Sequence, residues 1–301
     1  MKSKTRNLAL VFLAALGLLF AVSTPAQRAT KAGDEAARRN SANVNGSEAV
    51  SRDATHTCTY TFTSGTGTTY LQFCVTVNGN ITEFQSPSGV EQINQGHVVN
   101  EGYGICDMTT STGYYDYADA GDSGNWNAPS TVTHTATSVK IERTTSDGAW
   151  TLTQTITSSA GTNPYAKVLM ALKNNSGETK GATILRFADS DPGNTAQADT
   201  SFLENGDGTY DSSFSYVPSG SSAGLNYGLM LQAVGNPTPA SAASAFREGF
   251  VQDNEYGPMP CDSFAYQTQP VTATDDSLVY EWSFNIAKNQ TVSVTSRYIS
   301  F

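Results

Sequence analysis

The chain has 301 residues, with 27 acidic side chains against 17 basic ones and a net charge of −10. That balance argues against a polyphosphate partner unless a local basic patch exists, and no basic run follows the short Arg38-Arg39 pair, so no nucleic acid is expected as ligand. Four cysteines with no C-x-x-C pair point to disulfides rather than metal ligation.

At the start, Lys2, Lys4 and Arg6 precede an apolar stretch from Leu8 to Val22, and Thr24-Pro25-Ala26 supplies small residues at a cleavage point. Residues 1–26 therefore read as a signal peptide. The apolar stretch is shorter than the roughly 20 residues a membrane-spanning helix needs, so no membrane span is expected. Cleavage after Ala26 removes three basic residues and no acidic ones, taking the net charge to −13 with Gln27 as the new N-terminus. Gln27 offers no thiol for a lipoprotein anchor, and a secreted protein, extracellular or periplasmic, is expected. Residues 27–55 hold almost no large apolar side chain and read as a flexible leader. No clean linker divides 56–301, which is expected to be a single domain.

From Cys58 onward the dominant period is two. Thr57 to Thr63 and Thr68 to Val77 alternate around Ser64-Gly65-Thr66-Gly67, a hairpin signal. With the turn centred near Thr66, Cys58 stands opposite Cys74 at a separation a disulfide can bridge, which leaves Cys106 to pair with Cys261. Asn78-Gly79 then turns the chain into a strand from Ile81 to Ser86. Trp150, Leu152, Gln154 and Ile156 alternate with threonines, Val168, Met170 and Leu172 share a face, and Ala182 to Phe187 reads as another strand. Ala240 to Glu248, after Pro239, is the one stretch that reads as helix. Leu278, Tyr280, Trp282, Phe284 and Ile286 point one way, and Val292 and Val294 open the last strand. The expectation is an all-β fold, a large antiparallel β-sandwich of about ten to thirteen strands with little helix.

Four segments carry a resemblance: Val139-Lys140-Ile141-Glu142-Arg143, Trp150-Thr151-Leu152-Thr153-Gln154, Lys173-Asn174-Asn175-Ser176 and Arg186-Phe187-Ala188-Asp189-Ser190-Asp191. With the closing Leu278 to Tyr298, they resemble secreted bacterial β-sandwich proteins of the supersandwich, mutarotase-like type. The resemblance covers about a third of the chain and implies fold, not activity, because no catalytic motif of those enzymes maps onto these residues.

Three groups of side chains are chemical candidates. Tyr103, Tyr114, Tyr115, Tyr117 and Trp126, with Asp116 and Asp119 among them, suit a glycan: rings cover the apolar C–H face of a sugar and carboxylates accept its hydroxyl protons. For catalysis, His97, Glu101 and Asp107 form the strongest local set, and Glu101, Asp107, Asp116 or Asp119 would supply acid and base. Regular strand geometry would put His97, Glu101 and Asp107 on one face, with Gly102 and Gly104 arguing against regularity. Asp189 and Asp191 in D-x-D spacing, with Asp199 and then Glu204, Asp207 and Asp211, offer oxygens for a structural calcium, although the full calcium loop is absent. No other cofactor is implied. His56 and His134 are isolated, and the threonine rows at 57–63, 131–137 and 151–157 read as ordinary solvent-facing strand positions. The favoured reading is a secreted, non-catalytic protein that binds glycan or cell-surface material. A carbohydrate-active enzyme on a supersandwich and an extracellular matrix component are the alternatives, and nothing in the sequence bears on oligomeric state.

Overall fold

A computed structural model describes residues 57–93, 101–118, 121–190, 192, 199–204, 212–217, 227–235, 241–243, 259–261, 271–274 and 276–300. All of them belong to one compact unit, Ala49–Phe301. The signal peptide and the leader read over 1–26 and 27–55 lie outside the described residues.

Strands dominate because the sequence alternates, and among the described residues they number eighteen, labelled here in chain order. A three-stranded sheet joins β1 (Tyr60–Ser64), β2 (Leu71–Val75) and β3 (Ile81–Gln85). A six-stranded sheet runs β15 (Ser241–Ala243), β17 (Asp276–Ile286), β11 (Lys180–Ser190), β4 (Glu101–Asp107), β5 (Thr112–Tyr117) and β6 (Gly121–Asp122). A nine-stranded sheet begins with β16 (Val271–Thr274), β12 (Asp199–Glu204), β13 (Ser212–Val217) and β14 (Tyr227–Ala233). It continues through β18 (Thr291–Ser300), β10 (Tyr165–Asn174), β9 (Trp150–Ser159), β8 (Ser138–Thr144) and β7 (Ser130–His134). Neighbouring strands are antiparallel throughout. The expected all-β sandwich is the observed fold.

The alternation decides which face is buried. On β9 the side chains of Trp150, Leu152, Gln154 and Ile156 are buried while the threonines between them are half-exposed. Ala166, Val168, Met170 and Leu172 of β10 join them, and from the six-stranded sheet Ile105, Ile184, Tyr280 and Trp282 close the same core. Sealing one large aliphatic or aromatic side chain contributes about 1.5–3 kcal/mol, so this shared layer is the main source of stability.

Two local expectations change in detail. The disulfides pair as the sequence suggested, Cys58 with Cys74 and Cys106 with Cys261. The first hairpin nevertheless has a shifted register: Thr61, not Cys58, stands opposite Cys74, because a 3₁₀ turn at Gly67–Thr69 lengthens the loop. Cys58 reaches its partner from the irregular lead-in to β1, with Cα atoms 5.5 Å apart. The helix read over Ala240–Glu248 is corrected where it is described, since Ser241–Ala243 is β15 and pairs with Glu281–Val279 of β17. A short helix has weak intrinsic stability, and pairing with a sheet edge overrides it. Residues 244–248 lie outside the described residues.

Candidate functional site

The β4–β5 hairpin holds most of the candidate residues, and pleating divides them between two faces. Glu101, Tyr103, Ile105 and Asp107 of β4 share the inner face with Asp116 and Tyr114 of β5, while Tyr115 and Tyr117 share the outer face with Gly104 and Gly102. Glu101 and Asp107 therefore lie on one face, as strand geometry required. His97 lies outside the described residues, as does Asp119.

Each inner-face acid is matched by a cation. Glu101, fully buried, forms an ion pair with Arg186 of β11 and accepts hydrogen bonds from the Tyr298 hydroxyl (2.5 Å) and the Ile81 amide (2.5 Å). Arg186 also donates to the Tyr298 hydroxyl (2.8 Å) and to Gln154 Oε1 (2.9 Å). Burial pushes the Glu101 carboxyl above the usual carboxylate range, opposed by the charge of Arg186 and by the Tyr298 and Ile81 hydrogen bonds. Asp116 takes the Arg143 guanidinium from β8 (2.5 Å) and the Asn78 side-chain amide (2.8 Å). Arg143 further reaches Asp122 (2.8 Å) and the Tyr103 hydroxyl (3.1 Å), and stands 5.1 Å from the Trp126 ring centroid. Asp107 accepts from Lys180 (2.6 Å) and from the Trp150 indole (3.2 Å). Burial raises Asp107, but the Lys180, Thr109 and Trp150 hydrogen bonds outweigh it and hold the carboxyl below its ordinary value.

These pairs occupy the lone pairs and protons that acid–base chemistry would use. The Arg143–Asp116 ion pair and the Trp150–Asp107 hydrogen bond also tie the two large sheets together, since Arg143 and Trp150 belong to the nine-stranded sheet and Asp116 and Asp107 to the six-stranded sheet.

The aromatic candidates divide in the same way. Tyr103, Tyr114 and Trp126 are buried in the inner layer, where Trp126 meets both tyrosines edge-on with centroids 5.9 and 6.0 Å apart. Their edges are used as well, since Tyr114 donates to Asp147 (2.7 Å) and Trp126 to the Tyr115 carbonyl (3.2 Å). On the outer face Tyr115 and Tyr117 stack at 5.3 Å, and Tyr117 meets Phe187 edge-on across Gly102. Tyr117 is buried and Tyr115 half-buried.

The outer face of the six-stranded sheet also holds an acid that no sequence motif marked. Glu281 of β17 lies in one row with Leu185, Gly104 and Tyr115. It is 7% exposed, its Oε2 has no hydrogen-bond partner, and burial pushes the carboxyl up to about 7. Pro260 crosses this row: a Cβ on Gly104 would sit 2.5 Å from the proline Cγ, and the Pro260 carbonyl accepts from Thr183 (3.1 Å). The Cys106–Cys261 bridge anchors that crossing segment to β4. Glu281 sits between Tyr280 and Trp282, and Arg186 inside the run Ile184-Leu185-Arg186-Phe187-Ala188. A charge inside an apolar strand was the available signal for both.

Of the calcium candidates, Asp189 is half-buried and accepts a hydrogen bond from Ser277 (3.2 Å). The side chains of Asp191 and Asp199 lie outside the description, and among the described residues no three His, Cys, Asp or Glu side chains come together as a metal group. Among those residues no helix is long and apolar enough to cross a membrane.

No protein family and no curated protein matches the chain. Solved structures do. A bacterial glucoamylase complexed with acarbose is similar over 85% of this chain at 10% sequence identity, with a TM-score of 0.55. The chain spans 34% of that protein. A putative aldose 1-epimerase from Escherichia coli K12 matches 80% of this chain and 99% of its own length at 10% identity, with a TM-score of 0.45. A polysaccharide lyase matches 78% of this chain and 33% of its own at 8% identity, with a TM-score of 0.46. The likeness to the glucoamylase is one of fold, in keeping with the supersandwich resemblance of the sequence.

Proposed function

We propose that this chain is an exported, non-catalytic saccharide-binding protein built on a supersandwich scaffold. The carrying observation is that the buried acids Glu101, Asp107 and Asp116 are each paired with a cation, buried for Arg186 and Arg143 and half-buried for Lys180. Acids held in that way brace a core and do not exchange protons with a substrate. The saccharide class is supported by the half-buried Tyr115 ring, stacked on the buried Tyr117 on the outer face, and by a fold shared with a protein solved in complex with acarbose. Export is supported by the Lys2-to-Ala26 segment and by two disulfides.

Incubating the purified chain with insoluble polysaccharides and cell-wall preparations, and assaying depletion and released sugar in the same tubes, tests the reading. Depletion without release, weakened by Tyr115→Ala, is the expected result. Release of sugar would replace it with the enzymatic reading, which one observation favours: Glu281 is a sealed carboxyl that titrates near neutral pH. Glycoside hydrolysis takes two carboxyls about 5–9.5 Å apart. The other described acid on that face, Asp189, has its Cα roughly 14 Å from that of Glu281, from four residues along a strand and one strand across. Loss of the release in Glu281→Gln would identify Glu281 as its acid. A structural calcium on Asp189, Asp191 and Asp199 would raise the melting temperature, and an unchanged melt with and without chelator removes it.

A further inference from the structure

Pleating and register assemble on the outer face of the nine-stranded sheet a group of cations that are dispersed in sequence. Lys167 of β10 stands directly opposite Arg297 of β18. In the same row follow Gln232 of β14 on one side, and Thr157 of β9 and Ser138 of β8 on the other. Lys140 faces Thr155, which faces Leu169, and Lys173 faces Thr151. Even-numbered positions of β10 are buried, so Lys167 and Lys173 point outward and are exposed, while Arg297 and Lys140 are half-exposed. At strand spacings of about 4.8 Å and 3.4 Å per residue, four cations fall within roughly 15 by 20 Å.

Among the described residues acids are sparse there. Glu142, two rows from Lys167, accepts a hydrogen bond from Thr153. Glu204 stands in the Gln232 row, three strands and roughly 14 Å from Arg297. Lys167, Lys173, Lys140 and Arg297 against these two leave the face positive on a chain of net charge −10. Like charges directly opposite across a strand pair are destabilising, so the Lys167–Arg297 pair calls for an external anion. Arg297 has a buried Nε with no hydrogen-bond partner, and its guanidinium is 5.1 Å from the Tyr165 ring centroid. The Tyr165 hydroxyl is held below its ordinary range by its Ser159 hydrogen bond first, and by the charges of Arg297 and Lys167.

We propose that this face binds acidic polysaccharide, with Lys167 and Arg297 clamping one carboxylate or sulfate and Lys140 and Lys173 receiving neighbouring anionic groups. Arg presents a planar fork to such groups, Lys a point charge, and the half-exposed Thr155 and Thr157 between them present hydroxyls that match those of a sugar chain. A single-stranded nucleic acid would need open ring faces for its bases, and the Tyr165 ring beside the cations is taken by Arg297. Charges beyond a Debye length of about 8 Å are screened, so the acidic remainder of the chain does not cancel the patch. The half-buried Tyr115 ring lies on the other large sheet and takes no part in this binding.

Native gels cast with polygalacturonate, dextran sulfate or neutral dextran test it on the purified chain. Retardation by polygalacturonate or dextran sulfate but not by dextran is expected, weakening as salt rises. Which anionic polymer retards the chain identifies carboxylate or sulfate as the group recognised. K167Q/R297Q should weaken it by at least about tenfold, with the melting temperature unchanged or raised, while K288Q in the β17–β18 turn leaves it intact. If K167Q/R297Q does not fold, K140Q/K173Q is expected to weaken retardation in the same way. No retardation by either anionic polymer, equal retardation of the variant, or tighter binding of a single-stranded oligodeoxynucleotide would overturn the proposal. Binding to a neutral polysaccharide through Tyr115 would be untouched by these substitutions, which separates the two surfaces.

Discussion

Replacing Arg186 with Met removes one partner of the most deeply buried ion pair while keeping a long apolar stem. Glu101, Arg186, Gln154 and Tyr298 are all buried, and Arg186 donates to the other three. The variant leaves a carboxylate in the core with the Tyr298 and Ile81 hydrogen bonds but no cation. Breaking a buried pair on one side costs about 3–5 kcal/mol. For a chain of this size that corresponds to a fall in melting temperature of roughly 6–20 °C. The effect depends on pH. Burial already raises the Glu101 carboxyl, and losing Arg186 raises it further. A group with a raised folded-state value favours folding below its unfolded value, and that contribution is lost as pH rises through the folded one. The Arg186→Met penalty is therefore small near pH 4 and largest near pH 8. Urea unfolding at both values, followed by circular dichroism, measures it. In the double variant Glu101→Gln/Arg186→Met most of the loss is recovered, because no bare charge remains. A penalty under about 1 kcal/mol, or one equal at the two pH values, would refute the assignment of this pair as a structural brace.

Glu281→Gln tests the other sealed acid. With the carboxyl pushed up to about 7 from an ordinary 4.5, the wild-type chain loses stability as pH rises from about 4.5 through 7. The variant is expected to be more stable at pH 8 by about 1–2 kcal/mol, after allowing for solvent screening, and indistinguishable near pH 4. Thermal melts across that range decide it. Cys106→Ser/Cys261→Ser opens a loop with a sequence separation of 155 residues, for which chain entropy alone gives about 5 kcal/mol. A denaturation midpoint unmoved by the loss of that bridge would contradict its structural role. Gly104→Ala places a Cβ 2.5 Å from Pro260 and should cost about 1–3 kcal/mol through overpacking, read by urea unfolding. A neutral result would mean that Pro260 can leave the sheet freely.

What this sequence determines by itself is what depends on spacing along one strand. The period of two marks Trp150 to Ile156 and Leu278 to Ile286 as faces of buried strands, because a pleated backbone sends alternate side chains to opposite sides. Cysteine pairing was also legible, since a hairpin turn brings Cys58 near Cys74 even though the register differs from a simple count. The same period places Tyr114 on the face opposite Tyr115 and Tyr117, while the β4–β5 register is what adds Tyr103 to the Tyr114 face. Which of these faces is sealed is a question of what packs above it, and only the tertiary structure decided that. Glu101, Asp107 and Asp116 read as available acids until Arg186, Lys180 and Arg143 arrive from 27 to 85 residues away in sequence. The basic face was likewise invisible, because Lys140, Lys167, Lys173 and Arg297 become neighbours through sheet order: β18 pairs with β10 across more than a hundred residues of chain. Charge and burial act through space, and strand order is the step that turns a one-dimensional pattern into that space.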